Sequence, residues 1–87
     1  MAKSGANLED LDALKKTLTD AAGSTSTLRS SIDSTVQSAV WEGRNADAFR
    51  ESWQEFRLTL EKIQNALQDA SADVQKQRDG YAAVGGF

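Results

Sequence analysis

Apolar and small residues recur at helical spacing along two long stretches of this chain, with a short break between them. In the first stretch Leu11, Leu14, Leu18, Ala21, Thr25, Leu28, Ile32, Thr35 and Ala39 follow one another in alternating steps of three and four. That spacing gives a helix one face that packs at coiled-coil register. Leu8, Val36 and Val40 widen the stripe. Asn7 precedes it and is a good N-cap, because its side-chain oxygen accepts an unpaired N–H of the first turn. Glu9, Asp10 and Asp12 set negative charge at the positive end of the helix dipole. The pattern predicts a helix over about residues 7–40, about 50 Å long at 1.5 Å per residue.

One part of this helix is weak. Eight of the twelve residues from Ser24 to Thr35 are Ser or Thr, which are mediocre helix formers. Gly23 costs roughly a further 1 kcal/mol relative to Ala. The stripe keeps its phase across the region, so a single unbroken helix is expected. The Ser and Thr hydroxyls read as a solvated face.

The second stretch is stronger. Phe49, Trp53, Phe56, Leu60, Ile63, Leu67, Ala70, Val74 and Tyr81 repeat the same steps, with Gln77 the one polar member. They predict a helix over about 46–79, with Asn45 or Asp47 as its cap. Phe49, Trp53 and Phe56 lie in its first turns and are expected to fill the widest part of the core. Arg50, Glu51, Gln54, Glu55, Arg57, Glu61, Lys62, Gln68, Asp69 and Asp73 lie on the other face, where solvent-facing charge is expected. Gly80 marks the expected end, and residues 80–87 read as a Gly-rich tail.

Two stripes of similar length joined at a short bend, residues 41–45, describe an antiparallel helical hairpin, an all-α fold in one domain. Two helices cover each other on one side only, and small chains bury a low fraction of their surface. With no disulfide or metal to add stability, the expected remedy is association. Two hairpins would close a four-helix bundle around Leu11, Leu14, Leu18, Leu28, Ile32, Phe49, Trp53, Phe56, Leu60, Ile63, Leu67 and Val74.

Composition narrows the chemistry. The 87 residues contain no Pro, Cys or His. Absence of Pro permits long helices. Absence of Cys and His removes thiol and His-based nucleophilic sites and most transition-metal sites, and no cofactor is expected. Lys and Arg number 10 against 13 Asp and Glu, a net charge of −3 without a basic block. Nucleic-acid binding normally needs a concentrated basic face. There is no apolar run long enough for a membrane span. Met1-Ala2-Lys3-Ser4-Gly5-Ala6 lacks the apolar core of a signal peptide. A hairpin offers neither a concave pocket nor a nucleophile–base pair, so no enzymatic activity is expected.

Trp41-Glu42-Gly43 stands at the bend. If the first helix continued, Trp41 would lie about 170° from its apolar stripe at 100° per residue. Two readings follow. Either the helix ends by Val40 and Trp41 folds back to cap the hairpin, or its ring lies on the surface as half of a recognition site. Gly43 is expected to supply a left-handed turn conformation.

A helical hairpin of this length with Trp-x-Gly at its bend resembles the WXG family of ESAT-like substrates of type VII (ESX) secretion. The segment Trp41-Glu-Gly-Arg-Asn-Ala-Asp-Ala-Phe49, followed by Trp53, looks like the family's bend and following helix. The resemblance covers essentially the whole chain. It implies dimers of hairpins, either homodimers or heterodimers with a related partner. It also implies export in the folded state, from the bacterial cytoplasm to the outside, without a cleaved signal peptide. The transport complex contains an ATPase of the FtsK/SpoIIIE type. The export signal is composite: the Trp-x-Gly bend of one chain lies near a Tyr-x-x-x-Asp/Glu motif of the other. Carried over, Trp41 and Gly43 form the bend half.

The other half departs from the pattern. Tyr81 is the single Tyr, and Gly85 stands four residues after it where the family has Asp or Glu. The resemblance therefore implies a heterodimer in which a related partner carries Tyr-x-x-x-Asp/Glu and docks to the ATPase. The alternative is a homodimer exported through a variant tail using Tyr81 or Phe87. Other classes are a membrane-interacting helical protein and a structural coiled-coil module. The polar faces are acidic, which weighs against the former.

Overall fold

The computed structural model describes residues 5–85 and shows two helices, α1 (Leu8–Ser38) and α2 (Arg44–Ala83). The fold is the all-α helical hairpin. Lys15 Nζ donates to Gln75 Oε1 at 2.8 Å, and the hydroxyls of Thr19 and Ser71 share a hydrogen bond at 2.8 Å. Nearer the bend, Arg57 Nε donates to Asp33 Oδ2 at 2.8 Å. Residue numbers fall on one helix as they rise on the other, so the pair is antiparallel in a single register.

The Asn7 side chain accepts from the Asp10 N–H at 3.0 Å and caps α1. The helix runs unbroken through Gly23 and the Ser/Thr stretch. Ala22 is buried there, and its small side chain permits close approach of α2. Thr25 and Thr35 donate to the carbonyls of Ala21 and Ser31 one turn back. Their hydroxyls are thus satisfied within the helix, by sharing carbonyls that already accept a ladder bond.

The ends of α2 differ from the sequence reading. Its N-cap is Gly43, with no side-chain cap, and Asn45 and Asp47 lie inside the first turn. Asp47 contributes its charge to the dipole there. At the other end the helix passes through Gly80 to Ala83, carried by the half-buried Tyr81 and Ala82. Gly85, at φ 85°, takes the positive-φ conformation that closes it.

The larger correction concerns rotation of the helices about their axes. In α2 the side facing α1 includes Ala46, Trp53, Leu60, Leu67, Val74 and Tyr81 alternating with Arg50, Arg57, Gln64, Ser71 and Arg78. Trp53 is buried at 6% exposure, whereas Phe49 and Phe56 are exposed, Phe56 at 58%. The three aromatics therefore do not share a core. In α1 the facing residues include Leu11, Lys15, Leu18, Ala22, Thr25, Arg29, Ile32, Asp33 and Val36, while Leu14 and Leu28 are exposed. Each apolar stripe is half covered. Two causes act together. Ala22, Ala46 and Ser71 are small and buried, which draws the backbones together on their side. Polar side chains on that edge also find partners across the seam, as described below.

The resulting shape is a rod of 63 × 21 × 18 Å with a radius of gyration of 19.5 Å. A compact chain of this length would have about 12 Å. Accessible surface is 6488 Å². A compact monomer of this mass exposes about 5,000 Å². The excess is of the order that a stable interface removes from each partner, about 800 Å² or more.

Candidate functional site

The bend is built from the ends of both helices. After Ser38 the chain leaves α1, with Ala39 extended at ψ 128° and its N–H donating to Thr35 O at 2.9 Å. Val40 is fully exposed. Gly43 has φ 107° and ψ −178°, a region essentially reserved for glycine, and its carbonyl accepts from the Asp47 N–H at 3.0 Å to start α2. Gly43 thus has the expected positive φ, but at the start of the second helix.

Trp41 lies 44% exposed, its ring 5.6 Å from that of Phe49 and tilted by 45°. That separation and tilt fall within the range of favourable aromatic pairs. The two rings border an open cavity of ≈ 430 Å³ whose other walls include Ile32, Thr35, Val36 and Ala39. The first reading of Trp41, a ring folded back after the end of the helix, matches this geometry. The helix has ended before Trp41, the ring packs back over Phe49, and nearly half of the residue still meets solvent. Arg50 reaches back from α2, donating from Nη1 to Trp41 O at 2.8 Å and from Nη2 to Ala39 O at 3.3 Å.

A second polar cluster holds the helices together farther along. Asp33 accepts from the Trp53 indole N–H at 2.7 Å and from Arg57 Nε through both carboxylate oxygens, at 3.0 and 2.8 Å. Glu61 joins Arg57 at 3.4 Å and Arg29 at 3.3 Å. The Arg29 Nε atom is buried without a partner. The hydrogen bond from Arg57 holds the Asp33 carboxyl below the ordinary aspartate value. Burial opposes this, while Trp53 and the positive charges of Arg57 and Arg29 reinforce it. Asp33 in turn raises the Arg57 guanidinium. Arg50, Arg57 and Glu61, assigned from sequence to a solvent-facing surface, belong instead to the bend and the seam. One signal for this was available: Arg50, Arg57, Gln64, Ser71 and Arg78 recur in steps of seven beside the Trp53 series.

Because the Asp33 pKa is lowered in the folded chain, the unfolded chain binds more protons in acid. The stabilisation is complete above the unfolded value, about 3.9, and is lost as pH falls through the lower folded value. Thermal melts followed by circular dichroism from pH 7 to pH 2.5 should show this loss. Asp33→Asn should lower the midpoint at neutral pH and flatten its dependence on acid.

The other predicted positions divide into two sets. Leu11, Leu18, Ile32, Leu60, Leu67 and Val74 are half-buried along the seam, with Trp53 buried. Leu14, Leu28, Phe49, Phe56 and Ile63 are exposed. In the antiparallel register Leu28 falls opposite Ile63, and Thr35 opposite Phe56. The exposed set therefore forms one apolar edge running toward the bend. Among the described residues no group of three His, Cys, Asp or Glu is placed to hold a metal ion, and no helix is long and apolar enough to cross a membrane.

The hairpin with Trp41 and Gly43 at its turn matches a family model described as proteins of 100 residues with WXG, over residues 5–85. The chain belongs to the WXG100 family. Comparison with curated proteins and with solved structures gives no match. Membership in WXG100 supports an ESAT-like substrate of type VII secretion as the kind of protein this is.

Proposed function

We propose that this chain is the bend-contributing subunit of a WXG100 heterodimer, exported as a folded pair by a type VII secretion system. The observation that carries this reading is the state of Trp41. Its ring packs on Phe49 and borders an apolar cavity at the apex of the hairpin, and the residue remains 44% exposed. Packing on Phe49 thus leaves part of Trp41 open to a second chain. The exposed edge of Leu14, Leu28, Phe56 and Ile63 supplies the surface on which a second hairpin closes a four-helix bundle. Tyr81 supports the division of labour. It is half-buried within α2 and is followed by Gly85 where the acidic residue of the family's tail motif would stand. The partner then carries Tyr-x-x-x-Asp/Glu and contacts the FtsK/SpoIIIE-type ATPase. The pair leaves the bacterial cytoplasm for the outside without cleavage of a signal peptide. Its role is one of binding and transport, with no catalysis and no cofactor.

The test is export of Trp41→Ala from a bacterium carrying a type VII system and the co-encoded partner. The variant should form the same dimer with the same helical content, yet export should fall at least tenfold. Unchanged export, or loss of the dimer, would make Trp41 a structural residue. Sedimentation of the chain alone and with its partner separates the heterodimer from a homodimer.

A further inference from the structure

We infer that Arg50 is the positioning residue of the bend, fixing the backbone of residues 39–41 so that Trp41 is presented in one orientation. Three observations converge on it. First, α1 has no basic residue in its last turn. The carbonyl end of a helix carries partial negative charge and favours a cation. Arg50 supplies that cation from the other helix. Second, its guanidinium spans two carbonyls, Trp41 O at 2.8 Å and Ala39 O at 3.3 Å. The planar fork of Arg suits two acceptors at once, which a Lys ammonium on a flexible stem does not reproduce. Third, among the described residues no other side chain hydrogen-bonds the backbone of residues 39–43. The remaining ties are backbone bonds at its two ends, Ala39 N–H to Thr35 O and Asp47 N–H to Gly43 O.

The consequence is geometric. Val40 is fully exposed and Glu42 and Gly43 are exposed, so within residues 40–43 packing holds the Trp41 side chain alone. The contact between Trp41 and Phe49 fixes the ring relative to α2, while the Arg50 fork fixes the main chain that carries it. Phe49 and Arg50 are adjacent in sequence and act on the same residue from its side chain and its carbonyl. The walls of the apical cavity contributed by Trp41 and Ala39 depend on the same fork.

The functional half of this inference rests on the bend being an export signal, so the experiment reads the two halves separately. Backbone ¹⁵N relaxation on the dimer gives order parameters for residues 39–43, and the indole cross-peak of Trp41 reports its surroundings. In Arg50→Ala the order parameters should fall from about 0.85 to below about 0.6, and the Trp41 indole signal should move toward its unfolded position. Helical content should be unchanged and export should drop at least tenfold. Arg50→Lys, which keeps the charge and loses the fork, should fall between the two. It also serves as the readout if Arg50→Ala does not fold. Retained order in both variants overturns the inference and leaves the export reading intact. Lost order with normal export of the Arg50 variants, while Trp41→Ala is not exported, also overturns it. Normal export of both the Arg50 and the Trp41 variants overturns the export reading and the functional half of this inference, while the order parameters alone decide the positioning of the backbone.

Discussion

Trp53→Ala is expected to unfold the isolated hairpin. Trp53 is the one large buried side chain among the described residues, at 6% exposure. Truncation of a buried Trp costs about 3–5 kcal/mol. The total stability of a chain this size is about 4–13 kcal/mol at 0.05–0.15 kcal/mol per residue. An open rod that exposes one apolar edge belongs at the lower end of that range. The substitution also takes the indole N–H from Asp33, the carboxylate that grips Arg57 across the seam. Packing and polar linkage therefore fail together. Far-UV circular dichroism should show loss of the cooperative thermal transition at micromolar concentration. Trp53→Phe separates the contributions: it keeps most of the buried volume and removes the donor. It should retain a transition, weakened by about 1–3 kcal/mol. A Trp53→Ala chain that melts like the parent would show that the seam is held elsewhere.

Phe56→Arg is expected to have the opposite signature, with folding preserved and association lost. Phe56 is 58% exposed and stands outside the side of α2 that meets α1, so intrachain packing has little to lose. Its neighbours on the open edge, Phe49 and Ile63, are exposed as well. In a bundle of two hairpins this edge becomes the centre of the core. Burial of a Phe contributes about 1.5–3 kcal/mol, and an unpaired buried charge in its place adds a desolvation penalty. Association should weaken about a hundredfold or more, since every 1.4 kcal/mol is a factor of ten. Sedimentation equilibrium against the partner chain measures it directly. Gln54→Arg, also exposed on α2 but off the apolar edge, is the control and should leave the association constant unchanged. Equal association of the Phe56→Arg chain and the parent would place the interface on another face.

The residues that were easy and hard to place in advance differ in kind. Asn7 as the cap of α1 was legible because capping is a local hydrogen bond, from the Asp10 N–H to the Asn7 side chain three residues away. The continuity of α1 through Gly23 was legible because the apolar phase does not slip there. Gly43 was legible as a positive-φ position because Trp-x-Gly falls where two helical patterns stop. Arg50, Arg57 and Asp33 were not. A charged side chain at the margin of a stripe reads as solvated unless its partner is known, and their partners lie nine to twenty-four residues away. Gly80 misled for a related reason. Intrinsic propensity disfavours Gly in a helix by about 1 kcal/mol, an amount the half-buried Tyr81 and Ala82 offset.

Periodicity, capping and turn chemistry thus determine two helices and the place of the bend, because each depends on neighbours within a few residues, and the shortness of the bend makes the pair antiparallel. The spacing of apolar residues also determines that each helix has one sticky face. It does not determine how that face is shared. A stripe wider than one seam can roll toward either flank, and the roll is decided by contacts between residues far apart in sequence. Here the small side chains of Ala22, Ala46 and Ser71 and the polar partners around Asp33 turn both helices toward one edge. Leu14, Leu28, Phe49, Phe56 and Ile63 are left open, and Trp41 stands at the end of that row beside the cavity it helps to wall.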